Sequence, residues 1–232
     1  MVVDGDLSEW STQGGFRSER QGAPGSGNFV EGRMMFDGEI LYLGAHIGDP
    51  APMRNVINPA TDGELGWRGG GLQVRLSMER KTGWPVDANA PCYYRFRGLA
   101  PDAGQLAKAT NGRLVHLTLW RYAPAAQNCL HVHYGMDLHG GVVNPPGYRA
   151  AFREDADGRG YTLEYAIPWS LLHADVDPPQ SGDTLAASWT AHWSDDSGRL
   201  WRGQHTEIRN ATEPVRIYTW ERAATWGRAV YR

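Results

Sequence analysis

Cysteine is nearly absent from this chain of 232 residues, Cys92 and Cys129 being the two. A disulfide framework of the kind that staples small secreted domains is therefore excluded. Both cysteines fall in strand-like stretches, which fits one bridge between paired strands or two buried free thiols. Lysine is as scarce: Lys81 and Lys108, against 23 lysines and arginines together. Arginine's planar fork suits stacking and bidentate polar contacts, although a GC-rich genome gives the same bias. A net charge of −3 supplies no field to draw nucleic acid or an acidic membrane face. No apolar run is long enough to span a bilayer. No basic segment followed by an apolar one opens the chain, so no signal peptide is read there. Long amphipathic helices, βαβ spacing and internal repeats are also missing. So are GxSxG, HExxH and a phosphate-cradling glycine loop. Acyl transfer, zinc hydrolysis and nucleotide chemistry lack their usual signatures.

What is present is period two. Tyr161, Leu163, Tyr165 and Ile167 alternate with Thr162, Glu164 and Ala166, a half-buried strand stopped by Pro168 and followed by Trp169. The polar turn 155–158 joins it to a strand over 148–153. Strands over 29–36 and 40–47 flank Asp37-Gly38, a hairpin signal, and put Leu41, Leu43, Ala45 and Ile47 on one face. Further strands are expected over 72–77, 92–97, 114–122, 129–134, 184–193, 200–208 and 215–220. The 114–122 and 129–134 strands pair, as do the 184–193 and 200–208 strands. Residues 11–28 and 99–111 read as loops. About eleven short strands with little helix predict a single all-β domain, an antiparallel β-sandwich of jelly-roll-like type.

Several pieces, in order, resemble one family: Val3-Asp4-Gly5 with Trp10, the stretch 37–43 with Asp49, Trp67 before an alternating strand, the segment GYTLEYAIPW at 160–169, and Ser194-Asp195. The set is similar to the family 9 carbohydrate-binding modules, over nearly the whole chain. The resemblance implies a β-sandwich with structural calcium. It also implies a slot in which two tryptophans clamp a terminal sugar while amide, carboxylate and arginine groups meet the hydroxyls. Such modules accompany secreted polysaccharide-degrading enzymes. It therefore implies a carbohydrate ligand, a monomer appended to a larger protein, and an extracellular or periplasmic setting. One departure stands out. Where the family tends to carry Asp and Glu, this chain has Gly70 and Gln73.

On that resemblance Trp67 and Trp201 are the clamp candidates, with Trp193, Trp189 and Trp84 as alternatives. Ten tryptophans are equally what core packing would use. Gln73, Arg75, His192, Arg202 and Gln204 are candidate hydroxyl partners, and Gln73, Arg75 and Ser77 share a strand face. Asp4, Asp6, Asp49 and Glu164 are the candidate calcium ligands. Asp155 and Asp157 resemble a fragment of a calcium loop but fit an Asx turn as well. His131 and His133 share one strand face with Cys129, His139 follows, and His192 and His205 flank the last hairpin. These allow a transition-metal reading. His46 reads as a satisfied, partly buried histidine. The same superfamily includes haem-binding subunits, with Met34, Met35, Met53 or Met136 as axial ligands. That leaves an electron-transfer module as one alternative and a polysaccharide-active enzyme using Glu164 as another.

Overall fold

The computed structural model describes residues 1–51, 54–137, 140–210, 212 and 218–232. Met53, His139 and the first part of the expected 215–220 strand lie outside them. Among the described residues twelve strands run β1 (Phe16–Glu19), β2 (Phe29–Phe36), β3 (Ile40–Gly48), β4 (Gly71–Ser77), β5 (Leu114–Tyr122), β6 (Gln127–Tyr134), β7 (Val142–Val143), β8 (Arg149–Glu154), β9 (Gly160–Pro168), β10 (Thr184–Ser194), β11 (Trp201–Glu207) and β12 (Gly227–Val230). They form two antiparallel sheets. One has five strands in the order β1-β2-β3-β9-β8. The other has seven, β11-β10-β4-β5-β6-β7, with β12 on the first half of β10.

The alternating faces meet between the sheets. Leu41, Leu43, Ala45 and Ile47 from β3 and Tyr161, Leu163, Tyr165 and Ile167 from β9 pack onto Leu72, Val74, Leu76, Val115, Leu117 and Leu119. Each such aliphatic side chain contributes about 1.5–3 kcal/mol when fully buried. Trp189 and Trp193 of β10 complete this core. Polar contacts also cross it. Trp193 Nε1 donates to the Gly48 carbonyl at 2.8 Å, and Tyr165 Oη donates to the Cys129 carbonyl at 2.8 Å.

The two stretches that carried the family resemblance touch each other. Glu164 is fully buried on the outer face of the five-stranded sheet. Its Oε2 accepts from the backbone N–H of Asp4 and Gly5, and its Oε1 from Trp10 Nε1. Gly5 takes a left-handed φ of +84° in that turn, which glycine adopts without strain. Trp10 then covers Tyr42 and Ala166. At the other end of β9, Trp169 Nε1 donates to the Asp37 carbonyl and closes the 36–40 turn.

Four expectations change. Residues 92–97 are not a strand: Pro91 opens a helix, α2 (Pro91–Arg95), after α1 (Pro59–Asp62), and both cysteines are free thiols. The 99–111 loop contains α3 (Ala103–Ala109), started by a capping box between Asp102 and Gln105. The 11–28 loop contains β1. The sheet closes through β12 rather than through 218–220, where the chain turns.

Candidate functional site

Strand alternation sends the other half of the seven-stranded sheet outward, and that half is polar. Cross-strand register sets it in rows. One row runs Thr206, Thr190, Gln73, Thr118, His131 from β11 to β6. The next runs Ser188, Arg75, His116, His133, and a third Gln204, His192, Gly71. The rows are covered at both ends. Towards one end, Trp226 lies 5.3 Å from His116 within a small apolar cluster of Val86, Ala88, Leu114, Met136 and Ala186. Towards the other, a 3-10 turn (Gly63–Arg68) seats Gly66 against the Trp120 ring. Asn55 fixes that turn by donating to the Gly66 and Gly70 carbonyls.

Between the covers lies a hydrogen-bonded floor. Arg75 donates from Nη1 to Thr190 Oγ1 and from Nη2 to Gln73 Oε1, both at 2.9 Å. His192 Nε2 meets the same Gln73 Oε1 at 3.1 Å, and Gln73 Nε2 donates to Thr118 Oγ1. Arg75 is 2% exposed and His192 2%, whereas Gln73 is half-buried and Gln204 exposed. Burial lowers the Arg75 pKa to about 10, so it stays charged at neutral pH. Burial, and then the Arg75 charge, push His192 down to about 3. His116 shifts well down for the same two leading reasons. The floor is thus one cation among neutral groups. Several of its buried polar atoms have no protein partner: Arg75 Nε, His116 Nε2, His192 Nδ1 and Ser194 Oγ. A buried polar atom without a partner is costly and calls for an explanation.

The expected residues divide around this floor. Gln73, Arg75, His192 and Gln204 share it. Half-buried Trp67 sits on the 3-10 turn, and Trp201, 41% exposed, lies across from Ser194 at the same end of the rows. Trp193 does not take part. It is fully buried on the opposite face of β10, as is Trp189, so neither can stack on a ligand. Trp84 donates its Nε1 to the Trp226 carbonyl in the apolar cover. Arg202 falls in the irregularity between Trp193 and Ser194 and reaches Asp49 at 3.7 Å, away from the floor. Thr118, Thr190 and Thr206 join the floor, on the face that the strand alternation assigns to Gln73.

The metal readings fare differently. Glu164 is committed to three N–H donors, Asp6 to an exposed turn and Arg153, and Asp49 to the Ala51 N–H and Arg202. Three of the four meet at the opening turn, where Asp4 Oδ1 accepts from the Asp6 N–H and the Asp4 N–H donates to Glu164, while Asp49 lies elsewhere beside Arg202. Asp155 accepts from or pairs with His46 at 2.9 Å in its turn. His131 and His133 share the outward face with ring centroids 6.2 Å apart, and His131 Nε2 meets the Gly140 carbonyl. Among the described residues no three His, Cys, Asp or Glu side chains converge on a metal position. His192 and His205 do not face each other: they pair with Gln204 and Ala191, on opposite faces. Met34 packs against the core and Met35 on the outer face beside Trp10, while Met136 is buried in the apolar cover.

One constellation looks catalytic at first sight. Ser18, His205 and Glu207 are mutually within 2.5–2.8 Å. His205 Nδ1, however, accepts from the Gln21 N–H, so Nε2 carries the proton and donates. A nitrogen that is already protonated cannot take the Ser18 proton. The group ties short β1 to β11. A cavity of about 590 Å³ also lies over the five-stranded sheet, lined by Trp10, Arg33, His46, Arg153 and Asp155. Its charged groups are paired with one another, His46 with Asp155 and Arg153 with Asp6, so it offers fewer free partners than the polar floor.

The chain is thus a two-sheet antiparallel β-sandwich with a polar outer floor and two tryptophans at one end of it. Its fold is that of the family 9 carbohydrate-binding modules. Two solved structures of such a module from Caldicellulosiruptor kristjanssonii, one in complex with glucose and one with cellotriose, each superpose with a TM-score of 0.59 at 13% identity. Each match covers 100% of this chain and 91% or 89% of the other. No protein-family model matches the sequence, and no curated protein matches it.

Proposed function

We propose that this chain is a non-catalytic carbohydrate-binding module whose ligand lies on the outer face of the seven-stranded sheet. The observation that carries the reading is the set of buried donors and acceptors, several without a protein partner, with half-buried Trp67 and exposed Trp201 at one end of it. A sugar has apolar C–H faces that stack on aromatic rings and a rim of hydroxyls that needs directional partners. Trp67 and Trp201 supply the rings. Gln73, Arg75, Thr118, Thr190, His192 and Gln204 supply the partners. The sugar complexes of the similar modules support the same reading. By the family resemblance, the module serves a larger exported protein that acts on polysaccharide.

The test is a glycan array followed by calorimetry with the hits. Binding should be lost or fall about tenfold or more, roughly 1.4 kcal/mol, in Trp67→Ala and in Trp201→Ala. Half-exposed Trp201 should leave the melting temperature unchanged when truncated. Unaltered affinity in both variants would remove the clamp. Release of shorter sugars from a polymer would replace the module with an enzyme.

A further inference from the structure

Arg75 is a buried cation with no buried anion. Arginine is rarely buried at this level unless paired, because removing its charge from water costs several kcal/mol. Here its protein partners are an amide oxygen and a hydroxyl, and its Nε has none. Among the described residues no carboxylate forms an ion pair with it. The neighbouring His116 and His192 can carry no negative charge in either protonation state, and the Arg75 charge helps to keep both neutral.

We infer that the ligand supplies the missing charge: the module binds an acidic sugar, a hexuronate, through a carboxylate received by Arg75. This rests on the carbohydrate reading above and narrows its ligand class. The place for the carboxylate oxygen is already marked. Arg75 Nη2 and His192 Nε2 converge on the single oxygen Oε1 of Gln73. Gln73 is half-buried and ends in a flexible amide, so its side chain can turn aside and yield both donors to an incoming oxygen. The freed guanidinium edge offers a carboxylate the parallel two-bond geometry that arginine favours. A neutral hydroxyl would satisfy the same hydrogen bonds but leave the charge uncompensated.

The experiment titrates the whole chain with oligomers of gluco-, galacto- and mannuronic acid, with the same oligomers after reduction of their carboxyl groups, with neutral cello- and xylo-oligosaccharides, and with inorganic phosphate. At least one uronate oligomer should bind about tenfold or more tighter than its reduced form. Arg75→Gln should abolish that difference. Gln73→Glu gives Arg75 an internal partner. It should raise the melting temperature and remove uronate binding, and this keeps the inference testable if Arg75→Gln fails to fold. Equal affinity for oligomers and their reduced forms would overturn the acidic ligand while leaving the carbohydrate reading standing. Binding of phosphate as tight as of uronate would overturn both, as would no binding of any saccharide. Lower stability with unchanged uronate binding in Gln73→Glu would also overturn the inference.

Discussion

At the scale of the residue, the polar floor sets a pH dependence. His192 has a folded pKa of about 3, against an ordinary 6.5 that the unfolded chain regains. Below pH 6.5 the unfolded chain takes up a proton that the folded one refuses. Stability is therefore complete above that pH and is lost as pH falls through the window towards 3. The loss should reach about 2 kcal/mol at pH 5 relative to pH 7. His116 shifts in the same direction. Denaturant melts from pH 7 to 4 should show the slope, and His192→Gln should flatten part of it. A slope of the opposite sign would contradict the assignment. The sequence alternation put Gln73, Arg75 and Ser77 on one face correctly. It also separated His192 from Trp193, yet both read as ligand groups, because an aromatic residue on a strand looks the same whether its face is covered or open. Arg202 was misread for another reason. An irregularity of one residue beside Ser194 redirects its side chain towards Asp49, and no composition signal marks that position.

At the scale of the element, the Glu164 contact fixes how the chain's opening segment docks. Three N–H donors meet one buried carboxylate, and hydrogen bonds to a charged group contribute about 1.5–3 kcal/mol each when both partners are native. Glu164→Gln keeps the shape but substitutes an amide nitrogen for one acceptor oxygen. It should cost about 1–3 kcal/mol and speed hydrogen exchange at Asp4 and Gly5 far more than within β4 or β5. Uniform acceleration over both sheets would show that the segment does not open by itself. The hairpins β2–β3, β8–β9 and β10–β11 were readable, since each joins alternating runs through a short Gly- or Asp-bearing turn. Helix α3 is equally legible from Asp102 and Gln105, although the polar composition of 99–111 reads as a loop. Strand β1 was hidden because its four residues sit within a Gly- and Ser-rich stretch, and a strand so short owes its form to pairing with β2 rather than to its own pattern.

At the scale of the whole molecule, the sheets are joined by a common core and by a few polar contacts across it. Cys129 is fully buried beside one of these, the bond from Tyr165 to its own carbonyl. Burial raises its thiol pKa and keeps it unreactive in the folded state. A thiol reagent should therefore label it only when the sheets part. Tyr165→Phe should speed that labelling by roughly fivefold, the equivalent of about 1 kcal/mol. Equal rates in the two proteins would mean that labelling occurs by local fraying of β6. The fold is legible as a sandwich because nearly every strand buries one face, whereas the form of the polar outer face depends on which loops cover it. That is decided by distant segments, Trp226 at one end and Gly66 at the other. The Glu164 contact also has a practical consequence for orientation. It holds residues 4–10 against the five-stranded sheet, whereas the polar floor lies on the far side of the other. A protein immobilised through its first residue would turn the five-stranded sheet to the support and leave the outer face of the seven-stranded sheet, with Trp201 at its edge, turned to the solution.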